Sequence, residues 1–84
     1  MNLCIMYILK CSDNTLYTGY TNSLEERINV HNAGKGAKYT RGRSPVVLVY
    51  YESYDDKSMA LKREYALKKL SREKKMNLIN YLEI

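Results

Sequence analysis

The chain has 84 residues, of which 45% are apolar and 27% charged, and its formal net charge is +5. This length predicts one domain over residues 1–84, and the composition is that of a folded protein and not of a disordered tail. No run approaches the roughly 18 apolar residues of a membrane span and the N-terminus lacks a signal-peptide pattern, so we expect a cytoplasmic protein with no membrane partner. The excess of basic residues favours a polyanionic partner such as nucleic acid, although charge alone does not specify one.

A β-hairpin is the first predicted element. Residues 3–9 are apolar and β-favouring, residues 12–15 supply turn chemistry, and the strand pattern resumes over residues 16–20. If the intervening loop has an odd number of residues, Tyr7 and Tyr17 project from the same sheet face and lie diagonally close. The alternative is a pair of core tyrosines whose hydroxyls bind backbone groups.

Two cysteines, Cys4 and Cys11, lie in this first stretch. Their spacing is not that of a zinc site, and two thiols make a poor disulfide framework. We therefore expect reduced thiols that pack as small apolar side chains.

The first helix is predicted from Ser23, which with Glu26 has the form of a capping box, to about Ala33, where Gly34 can end it. Within this helix one narrow face, predicted to point inwards, contains Leu24, Arg27, Ile28 and His31. Buried polar groups are costly unless they line a cleft or meet partners. The alternative is that the Arg and the His lie at the edge of the apolar stripe with their polar ends in water.

A Gly- and Lys-rich segment, residues 34–43, is predicted to be a solvated loop. Pro45 then opens the apolar run 46–51, which suits a strand buried on both faces. Asp55 or Asp56 caps a second helix that runs to about Leu70. Ser71 caps a third helix that continues towards Leu82. The predicted fold is α+β, with the element order β-β-α-β-α-α.

Glu64 is the one acidic residue between Lys57 and Arg72, where cations surround it. One interpretation is an intrahelical ion pair with Lys68 or Lys57. The other is a single carboxylate ligand for Mg²⁺, an ion that binds few protein oxygens and keeps waters for contact with phosphate.

At Tyr7, Tyr17-Thr18-Gly19, Arg27 and Glu64 the sequence resembles the GIY-YIG nuclease superfamily. It closely resembles the small stand-alone members, in the stretches 16–21, 31–42 and 63–65, and the similarity covers nearly the whole chain. The first motif reads Ile5-Met6-Tyr7 in place of Gly-Ile-Tyr, and the second has Thr18 in place of Ile. The superfamily fold, a three-stranded antiparallel sheet flanked by helices, agrees with the predicted element order.

The resemblance implies a role for each of five site residues. Glu64 would hold one divalent metal, Mg²⁺ or Mn²⁺, and Arg27 would contact the scissile phosphate. Tyr7 would help to remove a proton from the attacking water, and Tyr17 would orient phosphate or water. Because a phenol of pKa about 10 is a weak base at neutral pH, His31 is a candidate to accept its proton. Gly19 is the surviving glycine of the second motif.

The segment after the first helix is assigned to nucleic-acid backbone contact, through Lys35, Lys38, Tyr39, Arg41 and Arg43. Such contacts encode little sequence, so substrate choice should depend on nucleic-acid structure or on a protein partner. The alternative is a loop that serves solubility only.

These features predict a metal-dependent endonuclease or structure-specific nuclease that acts on nucleic acid, and we expect DNA rather than RNA as its partner. A second hypothesis is a nucleic-acid-binding module with the nuclease fold and little or no cleavage activity of its own. A third is a protein-interaction domain with residual basic charge.

Overall fold

In a computed structural model of the chain, which describes residues 3–81, three antiparallel strands form one sheet. The strands are β1 (Cys4–Lys10), β2 (Leu16–Thr21) and β3 (Val47–Tyr54), in the spatial order β2-β1-β3. The helices are α1 (Leu24–Asn32), α2 (Lys57–Lys68) and α3 (Arg72–Tyr81). The predicted α+β fold and its element order are confirmed. Leu82, towards which the third helix was extended, lies outside the described residues.

The hairpin between β1 and β2 brings the two tyrosines to one sheet face. Tyr7 pairs with Gly19 and Leu9 with Tyr17, so residues 11–15 form a five-residue loop. The loop is closed by a hydrogen bond from the Cys11 amide to the Thr15 carbonyl at 2.8 Å. Because side chains alternate along a strand, this odd-numbered loop places both phenols on the same side of the sheet.

The third strand differs from its prediction. The apolar run 46–51 was expected to be buried on both faces, but β3 is an edge strand in which Val47 is 54% and Tyr51 53% exposed. The central strand is instead β1, where residues 5–9 are all buried. In a three-stranded sheet only the middle strand has a neighbouring strand at each edge, and it is the most buried. That strand is β1, which pairs with both β2 and β3.

Two apolar layers cover the sheet. On one face, Leu9 and Val46 pack with Leu24 and Ile28 of α1. On the other, the core is formed with α2 and α3 by Met6, Ile8, Leu67 and Ile79. The helix α1 therefore lies over the face that carries Tyr7 and Tyr17, and its residues reach the phenols.

The N-terminal caps of α2 and α3 are those predicted, whereas the predicted cap of α1 is not formed. Asp56 accepts a hydrogen bond from the Ser58 amide at 2.9 Å, and the Ser71 hydroxyl accepts one from the Lys74 amide at 3.2 Å, so both caps are formed. The predicted capping box at Ser23 is wrong. Its hydroxyl donates to the Glu26 carboxylate at 3.3 Å and caps no backbone amide, and the Ser23 amide is bound to the Thr21 hydroxyl and not to Glu26.

Both Cys4 and Cys11 carry free thiols, as predicted. Within the described part of the chain, no helix is both long enough and apolar enough to cross a membrane.

Candidate active site

The tyrosine pair forms the floor of the candidate site. Tyr7 is 1% exposed, and its ring lies 6.4 Å from that of Tyr17, centroid to centroid. The phenol of Tyr7 crosses directly over Gly19 on the neighbouring strand. A Cβ at Gly19 would lie 2.6 Å from the Tyr7 hydroxyl oxygen and 2.7 Å from its ring carbon, so any side chain there would displace the phenol. Gly19 thus makes room for Tyr7.

His31 is fully buried and hydrogen-bonded at both ring nitrogens. Its Nε2 lies 3.0 Å from the Tyr7 hydroxyl, and its Nδ1 lies 2.7 Å from the Thr40 hydroxyl. The Thr40 hydroxyl donates its one hydrogen to the Ala37 carbonyl, at 2.9 Å. Thr40 must therefore accept from Nδ1–H, and this leaves Nε2 unprotonated in the neutral ring, free to accept the Tyr7 hydrogen. The solvent-edge alternative for His31 is excluded.

The loop after α1 closes over this imidazole. A Cβ at Gly36 would lie 2.3 Å from the His31 Nδ1, so the backbone at Gly36 lies against the ring. Gly36 and Thr40 are buried, and residues Lys38–Thr40 form a single 3₁₀ turn. The predicted solvated loop is therefore wrong at these two positions. No periodic pattern in the sequence marks Gly36 or Thr40. The one sequence feature that includes them is the family resemblance over residues 31–42.

Arg27 lies one helical turn before His31, on the same face of α1. Its Nε atom is buried and has no hydrogen-bond partner among the described residues. Burial raises the pKa of the Tyr7 hydroxyl, and the guanidinium of Arg27 opposes that rise. Burial lowers the pKa of His31, and the positive charge of Arg27 lowers it further. His31 is thus held neutral, in the state that can accept a proton.

Glu64 lies on α2, which packs on the opposite face of the sheet from α1, and its side chain is 16% exposed. The helix runs beside β2, with the Lys57 ammonium 5.8 Å from the centroid of the Tyr20 ring. The negative charge of Glu64 is near enough to contribute to the raised pKa of Tyr7. Glu64 also forms the predicted intrahelical ion pair with Lys68, at 3.4 Å.

As to a metal, no group of three or more His, Cys, Asp and Glu side chains in the described residues is arranged to hold an ion. Glu64 would be the one protein carboxylate of a site completed by water and substrate oxygens. That donor set is of the kind Mg²⁺ accepts.

The five loop residues assigned to nucleic-acid contact fall into two groups. Lys35, Lys38 and Arg41 are exposed to solvent. Tyr39, 42% exposed, stacks on Tyr17 with centroids 5.9 Å apart, and so extends the aromatic surface out of the site. Arg43 is partly exposed and makes contacts within the protein.

Arg43 contacts three parts of the molecule. It pairs with Asp13 at 3.2 Å, donates to the Thr15 hydroxyl at 3.3 Å and lies 4.3 Å from the centroid of the Tyr39 ring. These contacts tie the loop to the β1–β2 turn and hold Tyr39 against the hairpin. The arrangement gives Arg43 an evident structural role.

Comparison with known proteins identifies the family and agrees with the fold. The family model described as the GIY-YIG catalytic domain matches residues 3–77 of this chain. The UPF0213 protein SH2523 of Staphylococcus haemolyticus is 60% identical over 88% of this chain and 90% of its own length. The UPF0213 protein HQ_3675A of Haloquadratum walsbyi is 58% identical over 87% of this chain and 82% of its own length.

Two solution NMR structures share the fold. The UPF0213 protein BH0048 of Bacillus halodurans has a TM-score of 0.62 at 47% identity, over 94% of this chain and 84% of that one. The protein EF2693 of E. faecalis has a TM-score of 0.66 at 38% identity, over 99% of this chain and 88% of that one. The chain therefore belongs to the GIY-YIG family, whose domain is of the nuclease type, and its relatives include the small UPF0213 proteins.

Proposed function

We propose that the protein is a metal-dependent endonuclease that hydrolyses phosphodiester bonds in nucleic acid, with DNA rather than RNA as the expected substrate. The observation that carries the proposal is the buried chain from Tyr7 through His31 to Thr40, beside the unpartnered Nε of Arg27. A neutral, oriented imidazole behind a phenol is an arrangement for moving a proton. A guanidinium with a free donor next to it is an arrangement for binding a phosphate.

In this proposal, Tyr7 and His31 share the removal of one proton from the attacking water. The water O–H bond breaks as the Tyr7 oxygen takes that proton and passes its own to the His31 Nε2. Because the pKa of Tyr7 is raised by burial, this transfer avoids a free phenolate. Thr40 accepts the Nδ1 hydrogen throughout, and so keeps the ring in the tautomer that the transfer needs.

The phosphate is oriented and its negative charge stabilised by Arg27, Tyr17 and Glu64. Negative charge grows on the phosphoryl oxygens during hydrolysis, and a guanidinium already in position stabilises it without reorganising. Tyr17, at the open side of the site, orients the phosphate or the water. Glu64 would hold one Mg²⁺ or Mn²⁺, which supplies Lewis-acid stabilisation of the phosphate and of the leaving oxygen.

The test is cleavage of labelled DNA and RNA substrates, as flaps, junctions, single strands and duplexes, with Mg²⁺ or Mn²⁺. We expect wild-type cleavage that stops with EDTA. Arg27→Ala and Glu64→Gln should each lower the rate by about 10²-fold or more, as loss of a preorganised charge does elsewhere. Glu73→Gln, an exposed carboxylate in the first turn of α3, is the matched control and should cleave like the wild type. Equal cleavage in all variants would reject this site.

A second function, nucleic-acid binding without cleavage, is favoured by one contact. In the structure the Glu64 carboxylate is paired with Lys68, which neutralises the proposed metal ligand. A binding module would show salt-dependent affinity for oligonucleotides, no metal-dependent cleavage, and no effect of Glu64→Gln on affinity.

A further inference from the structure

A basic cleft follows the outer edge of β2, beyond Tyr17. Its main part has a volume of about 330 Å³, in the range of small ligand sites. This part is lined by Leu16, Tyr17, Thr18, Tyr39, Lys68 and Lys75. An adjoining hollow shares Leu16, Tyr39 and Lys75 with it and adds Thr15 and Arg72. We call the two parts together the β2 cleft.

The charge in the β2 cleft is entirely positive. Its ionic lining residues are Lys68 of α2 and Arg72 and Lys75 of α3, and no acid lines it. In the part of the chain that the structure describes, no carboxylate pairs with Lys75 or Arg72. Burial lowers the pKa of Lys75, and the charge of Lys68 lowers it further, so the two ammonium groups repel each other across the cleft. An anion between them would relieve that repulsion.

An uncharged group in the cleft also lacks a partner. Thr18 is 4% exposed, and its hydroxyl oxygen makes no hydrogen bond to any residue that the structure describes. A buried hydroxyl without a partner is costly, and each such group calls for an explanation. Thr18 lines the cleft next to Lys68 and Lys75, and its hydroxyl has a hydrogen to donate.

We infer that the β2 cleft is a second phosphate subsite, which binds a backbone phosphate of the nucleic acid flanking the one that is cleaved. Lys75 and Lys68 supply the charge, Thr18 supplies a neutral donor, and Tyr39 offers its ring to the adjacent sugar or base. The inference rests on the proposed function, because the cleft shares Tyr17 with the candidate active site. The cleft adds a contact surface on α2 and α3 to the one assigned to Lys35, Lys38 and Arg41 in the loop after α1.

Lys68 stands between the two subsites. It is paired with Glu64 at 3.4 Å and also lines the cleft. A phosphate in the cleft would compete with Glu64 for this ammonium. Occupation of the subsite would therefore free the Glu64 carboxylate.

The experiment measures the affinity of the metal-free protein for a fluorescent oligonucleotide over a range of salt concentrations. Lys75→Gln should weaken binding several-fold and reduce the slope of log K against log salt by about 0.7–0.9, the value of one phosphate contact. Lys74→Gln is the matched control, because it removes the same charge from the same helix at an exposed position outside the cleft. Equal slopes for the two variants would overturn the inference.

Thr18→Val separates a binding role from a structural one. Removal of an unpartnered buried hydroxyl should leave the unfolding temperature unchanged or raise it, whereas affinity for the oligonucleotide should fall. A variant that unfolds more readily and binds like the wild type would contradict the inference.

Two further results separate this inference from the proposed function. If the wild type binds and cleaves while Lys75→Gln matches Lys74→Gln, the nuclease stands and the subsite fails. If inorganic phosphate shifts the NMR amide signals of Thr18 and Lys75 but no oligonucleotide binds, the cleft takes free phosphate. In that case both the nucleic-acid subsite and the proposed function fail.

Discussion

At the scale of single residues, the proposed proton transfer depends on which nitrogen of His31 carries the hydrogen. Thr40 decides this, because its own hydrogen is committed to the Ala37 carbonyl and its oxygen can only accept from Nδ1. Without that acceptor, no hydrogen bond would stabilise the tautomer of His31 that carries its hydrogen on Nδ1. The other tautomer cannot accept the hydrogen of Tyr7, so the proton path would be closed.

Thr40→Val is expected to disrupt this tautomer while it preserves side-chain shape. The loss leaves Nδ1 of the buried imidazole without a hydrogen-bond partner, which costs about 1–3 kcal/mol of unfolding free energy. In ¹⁵N NMR of the imidazole, the wild type should show Nδ1–H, and Thr40→Val should shift towards Nε2–H with a matching loss of cleavage. Thr40→Ser keeps the hydroxyl and serves as the control. An unchanged tautomer in Thr40→Val, with full activity, would contradict the role of Thr40.

Residues on the helix face could be predicted from sequence, whereas their loop partners could not. Helical spacing correctly placed His31 on an inward face with Leu24 and Ile28. Gly36 and Thr40 reach His31 through a turn whose path has no period, and four of the ten residues from 34 to 43 are cationic. A segment with that composition is normally solvated, so composition predicted the opposite of what two of its residues do.

At the scale of elements, the orientation of α2 is fixed by a polar contact with β3. Arg63 donates to both oxygens of Glu52, at 2.9 and 3.2 Å, and the hydroxyls of Tyr50 and Tyr54 donate to the same carboxylate. This cluster was not predicted, because the apolar pattern of the third strand ends before Glu52. Since Glu64 follows Arg63 directly on the helix, the contact also sets where Glu64 points.

Arg63→Met should therefore destabilise the protein more than a similar change elsewhere on α2. Because the Arg63 side chain is 40% exposed and that of Glu52 19%, we expect a loss of about 1–2 kcal/mol, well below that of a fully buried pair. Lys62→Met, one residue earlier and exposed, is the matched control. Urea denaturation of both variants gives the comparison. A loss no larger for Arg63→Met than for Lys62→Met would show that the contact does not anchor the helix.

At the scale of the whole molecule, element order was predictable and the depth of each strand was not. The hairpin, the helix caps at Asp56 and Ser71 and the element order follow from local signals. An apolar run, however, predicts burial without saying which strand will be central. With three strands and helices on both faces, β1 takes that place and leaves Val47 and Tyr51 half exposed on β3.

The stability of the whole molecule should depend on pH in two separate windows. The pKa of His31 is lowered by burial and by Arg27, so its contribution is complete above the unfolded value of about 6.5 and is lost as the pH falls below it. Burial alone would raise the pKa of Glu52, but hydrogen bonds from Arg63 and the two tyrosines outweigh it and the pKa is lowered. The contribution of Glu52 is complete above about 4.3 and is lost at lower pH.

We assign the pH dependence of stability just below pH 6.5 to His31, because the chain has a single histidine. Between pH 6.5 and 5 the unfolding free energy of the wild type should fall by at most about 1.4 kcal/mol per pH unit, the limit for one proton. In His31→Gln, which has no side chain of a type whose ordinary pKa lies between about 5 and 6.5, the unfolding free energy should be nearly constant over the same window. Urea denaturation at half-unit pH steps measures both. A wild-type curve that stays flat to pH 5 would mean that His31 is not held neutral by its burial. Equal slopes in the two proteins would assign the pH dependence to a different group.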